Sequence, residues 1–261
     1  MPGRCVSPRF DPDWLVPEWD APGVGAVMTT RAGGVGKAPF DSLNVRDGLG
    51  DEAAAVAENQ RRLREAIGSA PVWLKQVHGA AVVSLTSASS WSEAAIHSAD
   101  ACVSTEPGVV CAVQVADCLP VLFAAPGARG VAAAHAGWRG LAAGVLESTV
   151  GALCESARCE ASEVQAWLGA CIGPRRFEVG PDVLDAFGAD PLGESPAFVP
   201  FKAGKWHASL PLLARERLRA AGLRSISGGH WCTVGAQSRF FSFRRDGVTG
   251  RMAAAVWIEL R

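Results

Sequence analysis

No two of the eight cysteines form a C-x-x-C pair, and no two of the five histidines (78, 97, 135, 207 and 230) form a His-x-His pair. The first absence gives no signal for a thioredoxin-type site or a zinc ribbon. The second bears on copper oxidases, which assemble about ten histidines from paired motifs. An excess of one charge is lacking too, with 25 Lys and Arg against 26 Asp and Glu. Neither nucleic acid nor a membrane surface is therefore expected as the main partner. Long apolar runs are also missing: Asp117, His135 and Arg139 interrupt the best candidate for a membrane span. The first twenty residues, MPGRCVSPRFDPDWLVPEWD, carry no secretory core, because charges and prolines break them up. The chain reads as cytoplasmic, and its cysteines as mostly small core residues and not disulfides. Tyrosine is absent while tryptophan occurs nine times.

What is present is an ordinary globular composition, 49% hydrophobic over 261 residues, without internal repeats or long linkers. Alternating and continuous apolar runs predict strands at GVGAVMTT, VWLKQVHG, VVSL, ACVS, VVCAVQV, CLPVLFAAP, GVAAAHAG, VQAWLGACIG, SISGGHW, RFFSFRRD and MAAAVWIEL. VVSL is expected to pair with VWLKQVHG through a turn at Gly79. Helices are predicted over 51–67, ended by Gly68, over 139–154, at DVLDAF and at LPLLARERLRAAG. RAGGVGKAPFDSLN reads as a glycine-rich loop. Several strands are apolar throughout, as in sheets covered on both faces. The expectation is a single α+β domain in layers over 1–261, with 1–22 as an N-terminal extension. A dinucleotide fold is disfavoured, since GGVG is not a G-x-G-x-x-G fingerprint and no P-loop is present.

Three motifs end or interrupt apolar strands with a metal-binding residue type: WLKQVHG with His78, VADCLPVLF with Cys118, and VAAAHAGWRG with His135. Two imidazoles and a thiolate suit borderline-soft zinc, and three protein ligands leave a fourth position open. Such a centre keeps a net charge of about +1 and remains a Lewis acid. The intervals of 40 and 17 residues match no local ligand pattern, so spacing leaves the alternative of ordinary core histidines open. Neighbouring polar residues have candidate tasks: Asp117 as proton shuttle or hydrogen-bonding support, and Arg139 as a contact for an anion near a helix start.

TTRAGGV, LNV, LKQVHG, ADCLPVLF, HAGWRG, LGACIGP, FEVG, RFFSFRRDG and TGRMAA, in that order, resemble the bacterial laccase-domain family. Its members have been called polyphenol oxidase, purine nucleoside phosphorylase and peptidoglycan editing factor. The resemblance runs from about residue 24 to the C-terminus and implies an α/β/β/α sandwich with mixed sheets, similar to cysteine-type toxin deamidases. It implies His78, Cys118 and His135 as zinc ligands. The chain departs from the family where Arg175, Arg176 and Phe177 stand in place of two cysteines and an aromatic. Val115 and Ser209 likewise replace a common threonine and aspartate.

The resemblance also implies phosphorolysis of adenosine, inosine and methylthioadenosine, with hydrolytic deamination of adenosine. Purine nucleoside and phosphate are then the small-molecule partners of a monomer or small homo-oligomer. Arg31, Lys75, Arg139 and Arg175 are candidate phosphate donors, and Asn44 and Gln76 join Arg31, Lys75 and Arg175 as candidate substrate-binding residues. The His-x-Glu and Pro-Cys-x-x-Cys signature of zinc deaminases is missing, so any deamination uses another kind of site. Five histidines are too few for a true laccase. Two other readings stand beside this one. In the first, Cys118 and His135 are nucleophile and base of a hydrolase editing cytoplasmic peptidoglycan precursors. In the second, the chain is a zinc-stabilised binding protein whose fourth ligand is Cys171, His207 or His230.

Overall fold

A computed structural model describes residues 10–88 and 98–260. In chain order the strands are β1 (Val24–Met28), β2 (Pro71–Val72), β3 (Val82–Ser84), β4 (Ala101–Ser104), β5 (Val110–Val115), β6 (Leu119–Ala124), β7 (Val131–Ala136), β8 (Gln165–Leu168), β9 (Glu178–Val179), β10 (Phe198–Lys202), β11 (Lys205–Ala208), β12 (Ser225–Gly228) and β13 (Met252–Ile258). The helices are α1 (Ala53–Ile67), α2 (Trp138–Ala142), α3 (Val145–Ala157), α4 (Pro181–Ala186), α5 (Leu210–Ala220) and α6 (Phe243–Asp246).

Two mixed sheets face one another, one ordered β1-β13-β5-β2 and the other β12-β8-β6-β7-β4-β3. Strand alternation assigns side chains to the layers. Met28, Val113, Val115, Leu122, Ala133, Ala254 and Val256 fill the space between the sheets. The opposite face of the first sheet offers Val27, Ala112 and Ala253 to Leu63 and Ile67 of α1. The opposite face of the second offers Val121, Phe123, Ala132 and Ala134 to Val145, Leu146 and Val150 of α3 and Leu213 of α5. The result is the α/β/β/α sandwich that the resemblance implies. Both faces of β5, β6 and β7 are covered, and every residue of these strands is buried. Runs of alanine, 132–134 and 253–255, are tolerated because neighbouring Phe123, Trp167 and Met28 fill the space that larger side chains would occupy.

Several elements differ from the sequence expectation. VWLKQVHG contributes only β2, which pairs in parallel with β5, and residues 73–79 leave the sheet. VVSL does not pair with it: β3 joins the other sheet, parallel to β4. The helix expected over 139–154 is two helices, broken where Gly144 adopts φ 89°. RFFSFRRD is no strand, because Ser242 caps the short helix α6 by accepting the Arg245 N–H at 3.2 Å. A third small sheet, β10-β11-β9, forms in a stretch whose prolines and lysines give no strand signal. Of the expected N-terminal extension, residues 1–9 lie outside the described residues, while Trp14 and Leu15 are buried and Leu15 bridges to Met28. No helix among the described residues is long and apolar enough to cross a membrane.

The Gly144 break turns α2 away from α3, and α2 carries Trp138 and Arg139. Gly144→Ala is expected to cost about 1 kcal/mol, because an L side chain is disfavoured at positive φ. Urea denaturation checks this; an unchanged midpoint would show that the break does not need glycine.

Candidate metal and active site

Three segments converge on one point. The ligand atoms of His78, Cys118 and His135 all lie within 4.8 Å of one another, and among the described residues this is the one such cluster of three or more His, Cys, Asp or Glu. His78 Nε2 stands 3.9 Å from Cys118 Sγ. The His78 and His135 rings meet edge to face, with centroids 4.8 Å apart.

Each side chain is placed by a different device. His135 belongs to β7, is 3% exposed, and takes its alignment from the sheet. Cys118 follows Asp117, which at φ 94° turns the chain between β5 and β6. His78 sits on the irregular segment 73–79 with φ 60°. That segment is held by two polar anchors. Gln76 donates to the Gln114 carbonyl at 2.9 Å and accepts the Gln114 N–H at 2.8 Å. Asp100, fully buried, accepts the N–H groups of Val77 (3.0 Å), His78 (2.9 Å) and Gly79 (2.7 Å).

Asp100 also reaches His135, whose Nδ1 lies 2.8 Å from Oδ1. A carboxylate only accepts, so Nδ1 carries the proton and Nε2 is left to face the cluster. Burial pushes the Asp100 carboxyl upward, but hydrogen bonds from His135, Gly79 and Val77 outweigh it and hold the pKa below the ordinary value. Burial likewise raises the Cys118 thiol, yet His135 and His78 pull it down to about 6. Burial depresses His135, and Asp100 and Cys118 overcome this to raise it to about 9. Without a metal the pair at neutral pH is a thiolate beside an imidazolium.

The donor set fits a metal. Tetrahedral zinc holds nitrogen and sulfur ligands about 3.3–3.6 Å apart, which requires only a small closing of the cluster. Gly137 supplies room, since a Cβ there would stand 2.9 Å from Cys118 Sγ and 3.1 Å from His78 Cδ2. The candidate fourth ligands are engaged elsewhere: His207 stacks on Phe201 at 4.1 Å, and the His230 ring lies 3.7 Å from that of Trp231, tilted by 34°. Cys171 is buried and does not join the cluster.

The remaining expected residues divide into two groups. Asp117, Arg31, Asn44 and Gln76 make internal bonds. Asp117 Oδ1 accepts the Thr233 hydroxyl at 2.5 Å and Oδ2 the Arg244 N–H at 2.6 Å, so it ties Cys118 to α6. Arg31 donates to the carbonyls of Asp41 and Gln237 and pairs with the Asp41 carboxylate at 2.9 Å. Asn44 is wholly buried in contacts with residues 46, 51 and 251. Lys75, Arg139 and Arg175 are instead exposed. Arg139 lies over the Trp138 ring at 4.2 Å, on a helix of only five residues. Arg175 lines a separate cleft with Arg176, Trp231 and Cys232. Sequence reasoning missed Asp100, Thr233 and Phe243. Asp100 lies outside every motif quoted above, and only its four donors reveal it. Phe243 is 58% exposed on α6, anchored beside Asp117.

Asp100→Asn leaves two acceptor positions served by one oxygen and turns an NH₂ toward N–H donors. A loss of about 3 kcal/mol is expected in denaturant melts. Metal retention should fall with it, because the segment bearing His78 is released. A second expectation concerns pH. A metal must displace the His135 proton, so metal affinity should rise about tenfold per pH unit between about 6 and 9. Below about 6 the fall steepens as the Cys118 thiol also competes. Chelator-competition titrations check this, and a flat profile across that window would contradict it.

The family model described as "Multi-copper polyphenol oxidoreductase laccase" matches residues 25–259. The purine nucleoside phosphorylase PA4543 of Pseudomonas aeruginosa is 48% identical over 248 residues, covering 94% of this chain and 98% of that protein. The purine nucleoside phosphorylase YfiH of Escherichia coli is 48% identical over 247 residues, with the same coverage. Among solved structures, Neisseria meningitidis protein NMB0706 aligns with TM-score 0.87 at 41% identity, covering 95% of this chain and all of that one. YlmD from Geobacillus stearothermophilus aligns with TM-score 0.87 at 33% identity, covering 95% and 96%. Sandwich, cluster and full-length similarity agree: the chain belongs to the multi-copper polyphenol oxidoreductase (laccase-like) family, with relatives named purine nucleoside phosphorylases.

Proposed function

We propose that this chain is a zinc-dependent purine nucleoside phosphorylase acting on adenosine, inosine and methylthioadenosine. The observation that carries the reading is the His78–Cys118–His135 cluster, set with an open side in a chain 48% identical to named phosphorylases. Adenosine deamination is added on the family resemblance alone.

His78, Cys118 and His135 would hold the metal, which when bound supplies a Lewis acid of net charge about +1. Phosphorolysis breaks the bond from ribose C1′ to the purine nitrogen and forms one from C1′ to a phosphate oxygen. The base departs with a proton. Asp100 keeps His135 in one tautomer and fixes the backbone of His78. Asp117, with both oxygens engaged, positions Cys118 and α6. The exposed Phe243 ring offers a face on which a purine can stack. Lys75 and Arg139 are exposed cations that draw phosphate toward the site, while Arg175 lines a separate cleft. A five-histidine chain with one three-ligand cluster among its described residues does not supply the copper sites of a laccase. Nothing in this chemistry calls for a membrane or nucleic acid, and a cytoplasmic enzyme fits it.

A second reading rests on the proximity of Cys118 and His135, whose side-chain donor atoms lie within 4.8 Å. A low-pKa thiol beside an imidazole suits a nucleophile with its proton-transfer partner, as in a hydrolase editing peptidoglycan precursors. Cys118→Ser separates the two. Serine is close in size but a poor zinc ligand, so zinc and phosphate-dependent release of adenine from adenosine are expected to vanish together. Elemental analysis beside the activity assay checks this. Full zinc content with lost activity would favour the nucleophile.

A further inference from the structure

Two arginines outside the expected set are brought together by one buried amide. Asn44 Oδ1 accepts the backbone N–H groups of both Arg46 (3.1 Å) and Arg251 (2.9 Å). Its Nδ2 donates to the Arg46 carbonyl at 3.1 Å and to Asp51 Oδ2 at 2.9 Å. Asn44 is 0% exposed, so the loop after β1 and the start of β13 are locked side by side.

The guanidinium of Arg251 is only partly engaged. Nη1 donates to the Thr249 and Gly250 carbonyls at 2.9 and 3.0 Å, and the group lies 5.7 Å from the centroid of the Phe243 ring. Among the described residues, the side chain of Arg46 has no hydrogen-bond or ion-pair partner, and neither arginine is paired with a carboxylate. Arg251 is half-buried. The Phe243 ring that it faces is next to Arg244, whose N–H donates to Asp117 Oδ2, and Asp117 directly precedes Cys118. Folding therefore ties two half-buried arginines to one buried amide, and neither makes an ion pair with a carboxylate among the described residues. Such an arrangement costs free energy that an oxyanion held between the two forks offsets. Arg31, which makes an ion pair with Asp41, and Arg139, stacked in solvent on Trp138, have no such unmet demand.

We propose that Arg46 and Arg251 form the seat of inorganic phosphate, holding the oxyanion beside the Cys118–His135 cluster with Phe243 at its edge. The role of that phosphate as attacking group rests on the phosphorolysis reading above; its binding does not. Guanidinium forks match phosphate oxygens in pairs, and lysine does not reproduce that match.

The test is a calorimetric titration of the purified protein with inorganic phosphate, without nucleoside, alongside steady-state kinetics. Arg46→Ala removes a side chain with no internal partner, and Arg251→Lys keeps the charge while removing the fork. Each variant is expected to raise the phosphate dissociation constant and the phosphate KM about tenfold or more. Nucleoside KM and zinc content should stay within about twofold, the expectation for a lost phosphate contact and not for general damage. Variants that melt like the parent and bind phosphate equally well overturn the proposal, as does a parent protein that binds none. Phosphate binding that depends on the pair without phosphorolysis upholds the site and removes the functional reading. Phosphorolysis with an unchanged phosphate KM in both variants does the reverse.

Discussion

Everything at the cluster hangs on the carboxylate of Asp100. Four donors from two separate segments meet its two oxygens: three consecutive N–H groups of the segment ending at Gly79, and the imidazole of His135. A buried carboxylate with fewer partners would be forced toward its neutral form. Four donors keep it ionised, and the negative charge in turn holds His135 protonated at Nδ1. The same group thus solves a folding problem, the unsatisfied backbone of an irregular segment, and a chemical one, the tautomer of a candidate ligand. Its own backbone carbonyl accepts the His135 N–H at 2.7 Å, which ties this junction into the sheet.

The sandwich supplies the stiffness on which that junction relies. β6 and β7 are covered on both faces, so Cys118 at the head of one and His135 at the end of the other have little freedom to part. Paired residues keep their register: Leu119 faces Ala136 and Pro120 faces His135. The two residues are 17 apart in sequence, yet hairpin register makes them neighbours. This is why spacing in the chain carried so little information about the ligand set.

Much of the architecture was legible because its signals are local. The continuous apolar strands read as doubly covered, and Val56, Leu63 and Ile67 on α1 are buried as their periodicity required. The three clustered residues could be read as candidate ligands because each closes a recognisable motif. What escaped depends on long-range bonds. VWLKQVHG has the composition of a strand, but Asp100, more than twenty residues later, captures its backbone and pulls it out of the sheet. RFFSFRRD has alternating aromatics, but Asp117 captures the Arg244 N–H and Ser242 caps a helix turn there. The internal partners of Asn44, Arg31 and Gln76 were not legible, because a polar residue in a loop motif has no visible partner in one dimension. In the fold their partners are the carboxylates of Asp41 and Asp51 and backbone groups, some of them from distant segments such as Gln237, Gln114 and Arg251. Arg46 and Arg251 show the converse: two unremarkable cations, 205 residues apart, made adjacent by Asn44.

The cluster is mechanically uneven. Cys118 and His135 ride on paired strands, whereas His78 is exposed at the tip of a segment that contributes no strand beyond Val72. A metal at these residues would be held by two stiff side chains and one on a tether. The lifetime of such an ion would then depend on how often the Asp100 hydrogen bonds open. Its exchange would become a property of one small loop, adjustable at Val77 or Gly79 without altering either the candidate ligands or the sheets.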